Sequence, residues 1–264
     1  MRKDSVQGTL VIAGILCVCC SILVAGAAVM LKPKQLANKE LDIKKNMLLA
    51  SGLIEADALD RENVLKVYQR VRKKIVDLES GEYFEKAPEA FDQRKAAKDP
   101  EQSIVIPKQV DIAGIKRRSK KAEVFEVYNG SQLEMYIFPI HGKGLWSTLY
   151  GFVALTPDFS KVLGLGFYEH AETPGLGGEV DNPNWKALWV GKKVFDENLV
   201  PQISVIKGTV SSTDPRKDFK VDGLSGATIT ANGVTNLIRY WLGEDGFGPF
   251  IKNRLAKGEQ NEKY

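Results

Sequence analysis

A run of 24 residues without a charged side chain, from Gly8 to Leu31, constrains this chain more than any other feature of its sequence. At about 1.5 Å per residue, a helix of this length spans roughly 36 Å, which exceeds the ~30 Å hydrocarbon core of a bilayer. The Leu, Ile and Val residues of the run each favour insertion by roughly 0.3–0.6 kcal/mol. We therefore predict a transmembrane helix, and we assign residues 1–34 to an N-terminal membrane anchor.

A cleaved signal peptide is the alternative interpretation of this segment. The small residues Ala25-Gly26-Ala27 resemble a cleavage site, but the apolar part of a signal peptide usually has only about 7–15 residues. The length of the run therefore favours an uncleaved anchor. Its orientation does not follow from charge counting, because Arg2 and Lys3 flank one end while Lys32 and Lys34 flank the other.

Cysteine and histidine are too sparse to support a metal or thiol site in the rest of the chain. The three cysteines, Cys17, Cys19 and Cys20, all lie inside the apolar run, where cysteine packs as a small hydrophobe. With only His141 and His170 elsewhere, we predict no metal site. The net charge of +4 comes from scattered residues of both signs, which argues against nucleic-acid binding.

The segment from about Leu41 to Glu79 has the residue spacing of an amphipathic helix. Asp60 is the predicted N-cap of this helix and Gly81 the predicted stop. From Glu82 to Lys121 the chain is charged, contains proline and shows no clear motif, so we predict a helical and linker region over residues 35–121. Five apolar residues recur at intervals of three and four, which places them on one helical face: Val64, Val67, Val71, Ile75 and Leu78.

Strand and turn patterns begin at Ala122 and continue towards the C-terminus. The dipeptides Asn129-Gly130 and Pro157-Asp158 separate alternating apolar segments, as in β-hairpins. Hairpins with a few helices and no βαβ alternation indicate an α+β fold, an antiparallel sheet with flanking helices over residues 122–258. The predicted elements are strands at 124–128, 133–138, 149–155, 162–168 and 203–206, and helices at 182–190 and 233–242.

The stretch Asp222-Gly-Leu-Ser-Gly-Ala-Thr-Ile-Thr230 lies where a loop becomes a helix. Ser or Thr at that place normally caps the first backbone N–H groups of the helix. The same donors, together with the positive end of the helix dipole, also favour a phosphate group. Small residues at Gly226 and Ala227 let a bulky group approach the backbone. The residues alone leave both interpretations open.

The segment Asp222-Gly-Leu-Ser-Gly-Ala-Thr228 resembles the flavinylation motif, Asp-x-x-Ser/Thr-Gly-Ala-Thr/Ser, of the FMN-binding domain family. The resemblance implies FMN joined through a phosphodiester to Thr228 by a separate Mg-dependent flavin transferase. It implies further that Ser225, Gly226 and Ala227 surround the phosphate and that the transferase reads Asp222. Thr230 falls outside the motif and is expected to be an ordinary helix residue.

Two more segments, 142–151 and 170–177, are similar to parts of the same family. In the family, the loop Glu-Thr-Pro-Gly-Leu-Gly lies against the flavin ring. The alternative interpretations are a plain tight turn for this loop and a solvated charge for the lysine of the Ile206-Lys-Gly segment. The flavin contacts implied by the resemblance are Thr173, Gly175 and Leu176, with Lys207 a weaker candidate.

The anchor, both loops and the tail Gly246-Phe-Gly-Pro-Phe250 together resemble the flavin subunits of Na+-translocating NADH:quinone reductases. The resemblance implies an electron carrier between an upstream iron–sulfur centre and a flavin of a membrane subunit, within a six-subunit complex that oxidises NADH, reduces ubiquinone and exports Na+. It also implies a single-pass protein of the bacterial inner membrane with a periplasmic domain and no NADH site of its own. Two alternatives stay open: the flavin subunit of the ferredoxin-linked Rnf complex, and a membrane-anchored scaffold without a cofactor.

Overall fold

The structure, a computed structural model, describes residues 6–85 and 91–261 and divides into two compact units between Ile43 and Lys44. Helix α1 covers Val6–Ala50 and contains the apolar run. It is the one helix among the described residues that is long and apolar enough to cross a membrane. This finding fits the predicted single-pass anchor.

The second unit is built on an antiparallel sheet of five strands in the order β1-β4-β5-β6-β7. Strands β2 and β3 form a separate antiparallel pair, and β8 and β9 form a short parallel pair. The strands in the described part of the chain are β1 Val71–Asp77, β2 Ser103–Val105, β3 Arg117–Ser119, β4 Lys121–Asn129, β5 Gln132–Lys143, β6 Thr148–Leu155, β7 Val162–Glu169, β8 Ser204–Val205 and β9 Lys220–Val221.

The described residues of the second unit also form five α-helices and three 3₁₀ turns. The longest of these helices, α5, begins at the residue predicted to carry the cofactor. The α-helices are α2 Arg61–Tyr68, α3 Gln93–Ala96, α4 Pro183–Ala187, α5 Thr228–Leu242 and α6 Gly248–Asn261, and the 3₁₀ turns are Ala56–Ala58, Gly177–Asp181 and Lys217–Phe219.

Helix α5 packs on one face of the sheet and holds its core together. Tyr136 and Phe138 lie on that face of β5 and belong to the same buried cluster as Leu237 and Trp241 of α5. The indole N–H of Trp241 donates to the carbonyl oxygen of His141 at 2.7 Å. The helix that begins at the predicted attachment residue is therefore fixed to the sheet by both apolar packing and a hydrogen bond.

The end of α1 covers part of the other face. Leu165 of β7 lies in the main core, so strand alternation turns Gly164 away from it. Ala50 packs against this glycine, and Met47 and Leu48 are buried with it. The end of α1 thus buries part of the second face of the sheet, opposite α5.

Most of the predicted elements are confirmed. Both hairpins are present, as β4–β5 and β6–β7. Asp60 caps α2 by accepting hydrogen bonds from the backbone N–H groups of Glu62 and Asn63, both at 3.0 Å. The predicted helix at 182–190 is the shorter helix α4. The division into parts at residues 34 and 121 stays a prediction.

The long amphipathic helix up to Glu79 is wrong in its second half. Helix α2 ends at Tyr68, and Val71–Asp77 forms β1, which pairs with β4. Apolar residues four positions apart, such as Val71 and Ile75, can share one face of a strand as well as one face of a helix. The β-branched residues of this segment favour the strand once β4 offers a partner. Gly81, the predicted helix stop, lies instead in the turn after β1.

We predict that the packing of α5 on the sheet contributes strongly to stability, and truncation of Leu237 tests this. Leu237→Ala should lower the free energy of unfolding by about 2–5 kcal/mol, because it leaves a cavity in the core. Urea unfolding of the detergent-solubilised chain, followed by tryptophan fluorescence, measures the change. The matched control is Ile229→Ala in the same helix, where the side chain is 58% exposed, with an expected change below about 0.5 kcal/mol. Equal losses in the two variants would contradict the packing assigned to α5.

Candidate functional site

A cleft of about 500 Å³ lies at the start of α5. This volume is within the range of roughly 300–1,000 Å³ that is typical of small-molecule sites. The cleft brings together five of the residues predicted from the sequence: Lys207, Asp222, Ser225, Gly226 and Thr228.

Thr228 is the first residue of α5 and is exposed to solvent. Neither its hydroxyl nor that of Ser225 forms a hydrogen bond within residues 6–85 and 91–261. The N-cap position is occupied by Ala227, which has no side-chain acceptor. The interpretation of these hydroxyls as helix caps is therefore wrong. Among the described residues, neither the hydroxyl of Thr228 nor the first N–H groups of the helix have a side-chain partner.

Gly226 connects the motif to the second predicted loop. Its φ angle of +68° lies in the left-handed region, which favours glycine. A Cβ atom at this position would come within 2.8 Å of Leu176 Cδ2, so the two loops are in close contact. The loop of Leu176 is itself a closed turn, because the N–H groups of Leu176 and Gly178 both donate to the carbonyl oxygen of Thr173. Gly175 and Thr173 are exposed on this turn, next to the cleft-lining motif.

Glu172, which precedes this turn, holds the surroundings of the cleft together. Its buried carboxylate accepts hydrogen bonds from the N–H groups of Leu145 (3.1 Å), Trp146 (3.0 Å) and Ser147 (3.0 Å) and from the Ser147 hydroxyl (3.2 Å). A fifth bond comes from the hydroxyl of Thr230 in the first turn of α5, at 2.6 Å. One side chain thus fixes the β5–β6 connection, the 173–178 turn and the start of α5 relative to one another.

The hydrogen bonds keep Glu172 ionised despite its burial. Burial alone raises the pKa of a carboxyl group. The donors from Thr230, Ser147, Leu145 and Trp146 outweigh burial, and the net effect lowers the pKa of Glu172. The site is therefore built around a carboxylate that stays charged at neutral pH.

Asp222 and Lys207 have different surroundings within the cleft. The Asp222 carboxylate accepts a hydrogen bond from the N–H of Val210 at 2.8 Å, and its carbonyl oxygen accepts one from the indole N–H of Trp185 at 2.9 Å. Asp222 therefore ties the motif to the loop that carries Lys207. The Lys207 ammonium is exposed and forms no hydrogen bond or ion pair within the described ranges.

Neither histidine lines the cleft. The His170 ring contacts Asp181 through Nε2 at 2.7 Å and accepts the N–H of Glu172 through Nδ1 at 3.2 Å. The His141 ring stacks on that of Tyr150 and lies tilted by 46° against that of Trp241. Burial, aided by the charge of Arg94, lowers the pKa of His141 to about 4. Both imidazoles are thus engaged by neighbouring side chains.

Sequence reasoning missed three residues of this site: Glu172, Thr230 and Trp146. Glu172 was visible as the acid of the quoted loop, but a carboxylate among small residues carries no signal for its partners. Thr230 was expected to be only a helix residue. Trp146 is 67% exposed although Glu172 fixes its backbone, which makes it a large apolar surface beside the site.

The model of the FMN-binding domain family matches residues 144–243, a range that contains every residue of the cleft. The NqrC protein of the Na+-translocating NADH-quinone reductase from Pseudomonas aeruginosa is 47% identical over 98% of this chain and 99% of that protein. Its counterpart from Yersinia pestis is 45% identical over 95% of this chain and 94% of its own length. The crystal structure of Shewanella oneidensis NqrC matches with a TM-score of 0.74 at 36% identity, covering 83% of this chain and 99% of that one.

The fold and the cleft therefore define an FMN-binding domain with an N-terminal membrane helix. The relatives identify it further, because the identities extend over nearly the whole chain. The chain belongs to the NqrC family, a family of subunits of Na+-translocating NADH-quinone reductases. This assignment decides against the Rnf-type protein.

The residues of the cleft fit FMN on structural grounds. A hydroxyl without a hydrogen-bond partner among the described residues stands at a helix start without a side-chain cap, where a phosphate group is favoured. Apolar surface for a ring system is available at Leu176, which is 44% exposed. Lys207 adds a positive charge to the lining.

We predict that Glu172 contributes stability in a pH-dependent way. Glu172→Gln keeps the shape of the side chain but replaces the charged carboxylate, whose two oxygens accept the hydrogen bonds, by a neutral amide with one acceptor oxygen. It should lower the free energy of unfolding by about 1–3 kcal/mol at pH 7. Because folding lowers the pKa of Glu172, its contribution is complete above the unfolded value of about 4.3 and disappears as the pH falls through the lower folded value. Urea unfolding at pH 7, 5 and 3.5 measures this loss.

The matched control for this test is Glu179→Gln, in the 3₁₀ turn Gly177–Asp181 that follows. Glu179 accepts one side-chain bond, from Asn182, and lies only half-buried. We expect it to have a much smaller effect at every pH. A difference between wild type and Glu172→Gln that does not shrink in acid would contradict the assigned role.

Proposed function

We propose that this chain is a membrane-anchored electron carrier that holds FMN covalently through a phosphoester to Thr228. The observation that carries the proposal is the exposed Thr228 hydroxyl, which lacks a partner among the described residues and begins a helix without a side-chain cap. A phosphate ester at this oxygen keeps one negative charge next to the positive end of the helix dipole. The match to the FMN-binding domain family supports FMN as the group attached there.

The bound flavin would supply the one-electron and two-electron chemistry, and the residues of the chain would position it. Ser225, Gly226 and Ala227 bring the backbone close to the phosphate. Leu176 offers apolar surface to the ring, together with Thr173 and Gly175 of the same turn. Glu172 holds this turn and the start of α5 in place through the hydrogen bonds described above. Lys207 provides the cation of the lining.

Membership of the NqrC family supports a position for this carrier in the electron-transfer sequence of the complex. Electrons would arrive from an iron–sulfur centre and leave to a flavin of a membrane subunit, within a six-subunit assembly. The anchor helix would hold the protein in the bacterial inner membrane with its folded domain in the periplasm. The absence of cysteine after Cys20 is compatible with that compartment. A covalent bond would prevent loss of FMN to dilute surroundings, and a separate flavin transferase would form it.

We predict that Thr228→Ala abolishes covalent flavin. The chain is co-expressed with a flavin transferase, and flavin fluorescence is read on a denaturing gel. Wild type should give a fluorescent band, and the peptide containing residue 228 should gain the mass of FMN less one water. Thr228→Ser should restore the band, because it restores the hydroxyl. Ser225→Ala is the matched control in the same cleft and should stay fluorescent. A fluorescent Thr228→Ala band would move the attachment to another residue, and a colourless wild type would favour the scaffold without a cofactor.

We predict that Asp222→Asn separates recognition by the transferase from folding. The amide oxygen of asparagine can still accept the N–H of Val210, so the thermal midpoint should change by only about 2 °C. Loss of the negative charge should nevertheless reduce the flavin-labelled fraction by about tenfold, equivalent to roughly 1.4 kcal/mol. Thermal unfolding and in-gel fluorescence of the same samples measure the two effects. Normal labelling of a stable Asp222→Asn chain would exclude a role for the carboxylate in flavin transfer.

A further inference from the structure

A second cavity, of about 690 Å³, shares no lining residue with the flavin cleft. Three segments separated in sequence converge on it: the α3 segment, the turn before β3, and the facing ends of β5 and β6. In the described part of the chain, its lining carries no carboxylate and five cationic side chains: Arg94, Lys98, Lys116, Arg117 and Lys143. His141, Thr148 and Tyr150 add polar atoms to the lining.

Only one of the five cations is neutralised by a carboxylate within residues 6–85 and 91–261. Arg94 forms a two-pronged ion pair with Glu169, at 2.7 and 2.8 Å. Arg117 donates to the neutral hydroxyl of Ser103, and Lys143 donates to the carbonyl oxygen of Trp146. Lys98 and Lys116 have no side-chain partner in the described part of the chain. Four cations of the lining therefore form no ion pair with a carboxylate among these residues.

A carboxylate shapes one of the segments that line the cavity. The carboxylate of Asp111 accepts the backbone N–H groups of Ile115 (2.9 Å) and Lys116 (2.8 Å), which shapes the turn before β3. The same turn is bound to the end of β5, because the N–H of Lys143 donates to the carbonyl oxygen of Ala113 at 2.8 Å. The cations thus project from a fixed backbone rather than from a free loop.

The Arg94 side chain is fixed from two directions. Glu169 holds its guanidinium group, which also lies 3.7 Å from the centre of the Tyr150 ring. A cation over an aromatic ring is attracted by the negative face of that ring. Arg94 and Tyr150 therefore form one ordered wall of the cavity.

We propose that this cavity binds a small multivalent phosphate anion. Phosphate oxygens can each accept several hydrogen bonds from guanidinium and ammonium groups. Four cations without an ion-pair partner among the described residues favour a phosphate monoester or a pyrophosphate, which carry about two or more charges, over a singly charged diester. The site is a concave space formed by three segments, and such a space suits a small ligand better than it suits the flat surface of a protein partner.

The test is isothermal titration calorimetry on the full chain in dodecyl maltoside, in a phosphate-free buffer of low ionic strength. The probes are pyrophosphate, glycerol 3-phosphate and glycerophosphoglycerol. We expect pyrophosphate and glycerol 3-phosphate to bind more tightly than the diester, and affinity to fall as salt is added. If the diester binds as tightly as the monoester, the source of the phosphate is a phospholipid headgroup. If the diester binds more weakly, the source is a soluble phosphate compound.

Variants distinguish the cavity from general charge attraction. Lys98→Gln and Arg117→Gln should each weaken pyrophosphate binding by about tenfold. Lys98 is exposed and has no side-chain partner among the described residues, so its replacement leaves the fold intact; thermal unfolding checks each variant. The matched control is Arg216→Gln, because Arg216 also donates to a neutral side-chain oxygen, that of Gln202 at 2.8 Å, but lies outside the cavity lining.

Three results would overturn the proposal. The first is a lack of binding of all three phosphate probes. The second is an equal loss of affinity in Arg216→Gln and in the two cavity variants, which would show attraction to the protein surface as a whole. The third is binding of an oligoglutamate peptide while every phosphate fails, which would make the cavity a docking surface for an acidic protein. None of these readouts depends on flavin attachment.

Discussion

The hydrogen bonds to the buried carboxylate of Glu172 are the interaction on which the rest of the site depends. The five donors come from a strand connection and from a helix that is more than eighty positions away in sequence. Two opposing effects act on this group, because burial favours the neutral acid while the donors favour the anion. The donors prevail. The turn that contacts the attachment motif and the helix that begins with Thr228 are consequently held by the same side chain. A displacement of one of them therefore displaces the other.

The sequence predicted those parts of the fold that have local signals. The long uncharged run specifies the anchor, and short turn dipeptides between apolar segments specify both hairpins, because neither depends on distant partners. Strand β1 could not be predicted in this way, since the spacing of Val71 and Ile75 suits a helix and a strand equally. Its pairing with β4, some fifty residues away, decides the outcome. The turn at Asp111 and the strands β2 and β3 were missed for the same reason.

The candidate site was predictable to a different degree. Resemblance to a known motif singled out Thr228 and Asp222, and the wider resemblance to the family added Lys207 as a weaker candidate. The structure brings these side chains into one cleft. Spacing alone suggested a capping hydroxyl, but the helix begins one residue after Ala227 and neither hydroxyl serves as a cap. Glu172 and Thr230 escaped notice because a hydrogen bond between residues far apart in sequence leaves no trace in either local pattern. The segment up to Lys121, which showed no motif, contributes four of the five cations of the second cavity.

The start of α5 has a consequence for the order in which a flavoprotein of this kind is assembled. The middle and end of the helix are held by the core through Leu237 and Trp241. The first backbone N–H groups of the helix have no side-chain acceptor among the described residues. A phosphate ester at Thr228 would supply that acceptor to donors that already point in the required direction. Attachment would then complete an existing architecture with little reorganisation. Such preorganisation would also suit the proposed electron carrier, because a group held in a rigid frame changes its redox state with small movements of its surroundings.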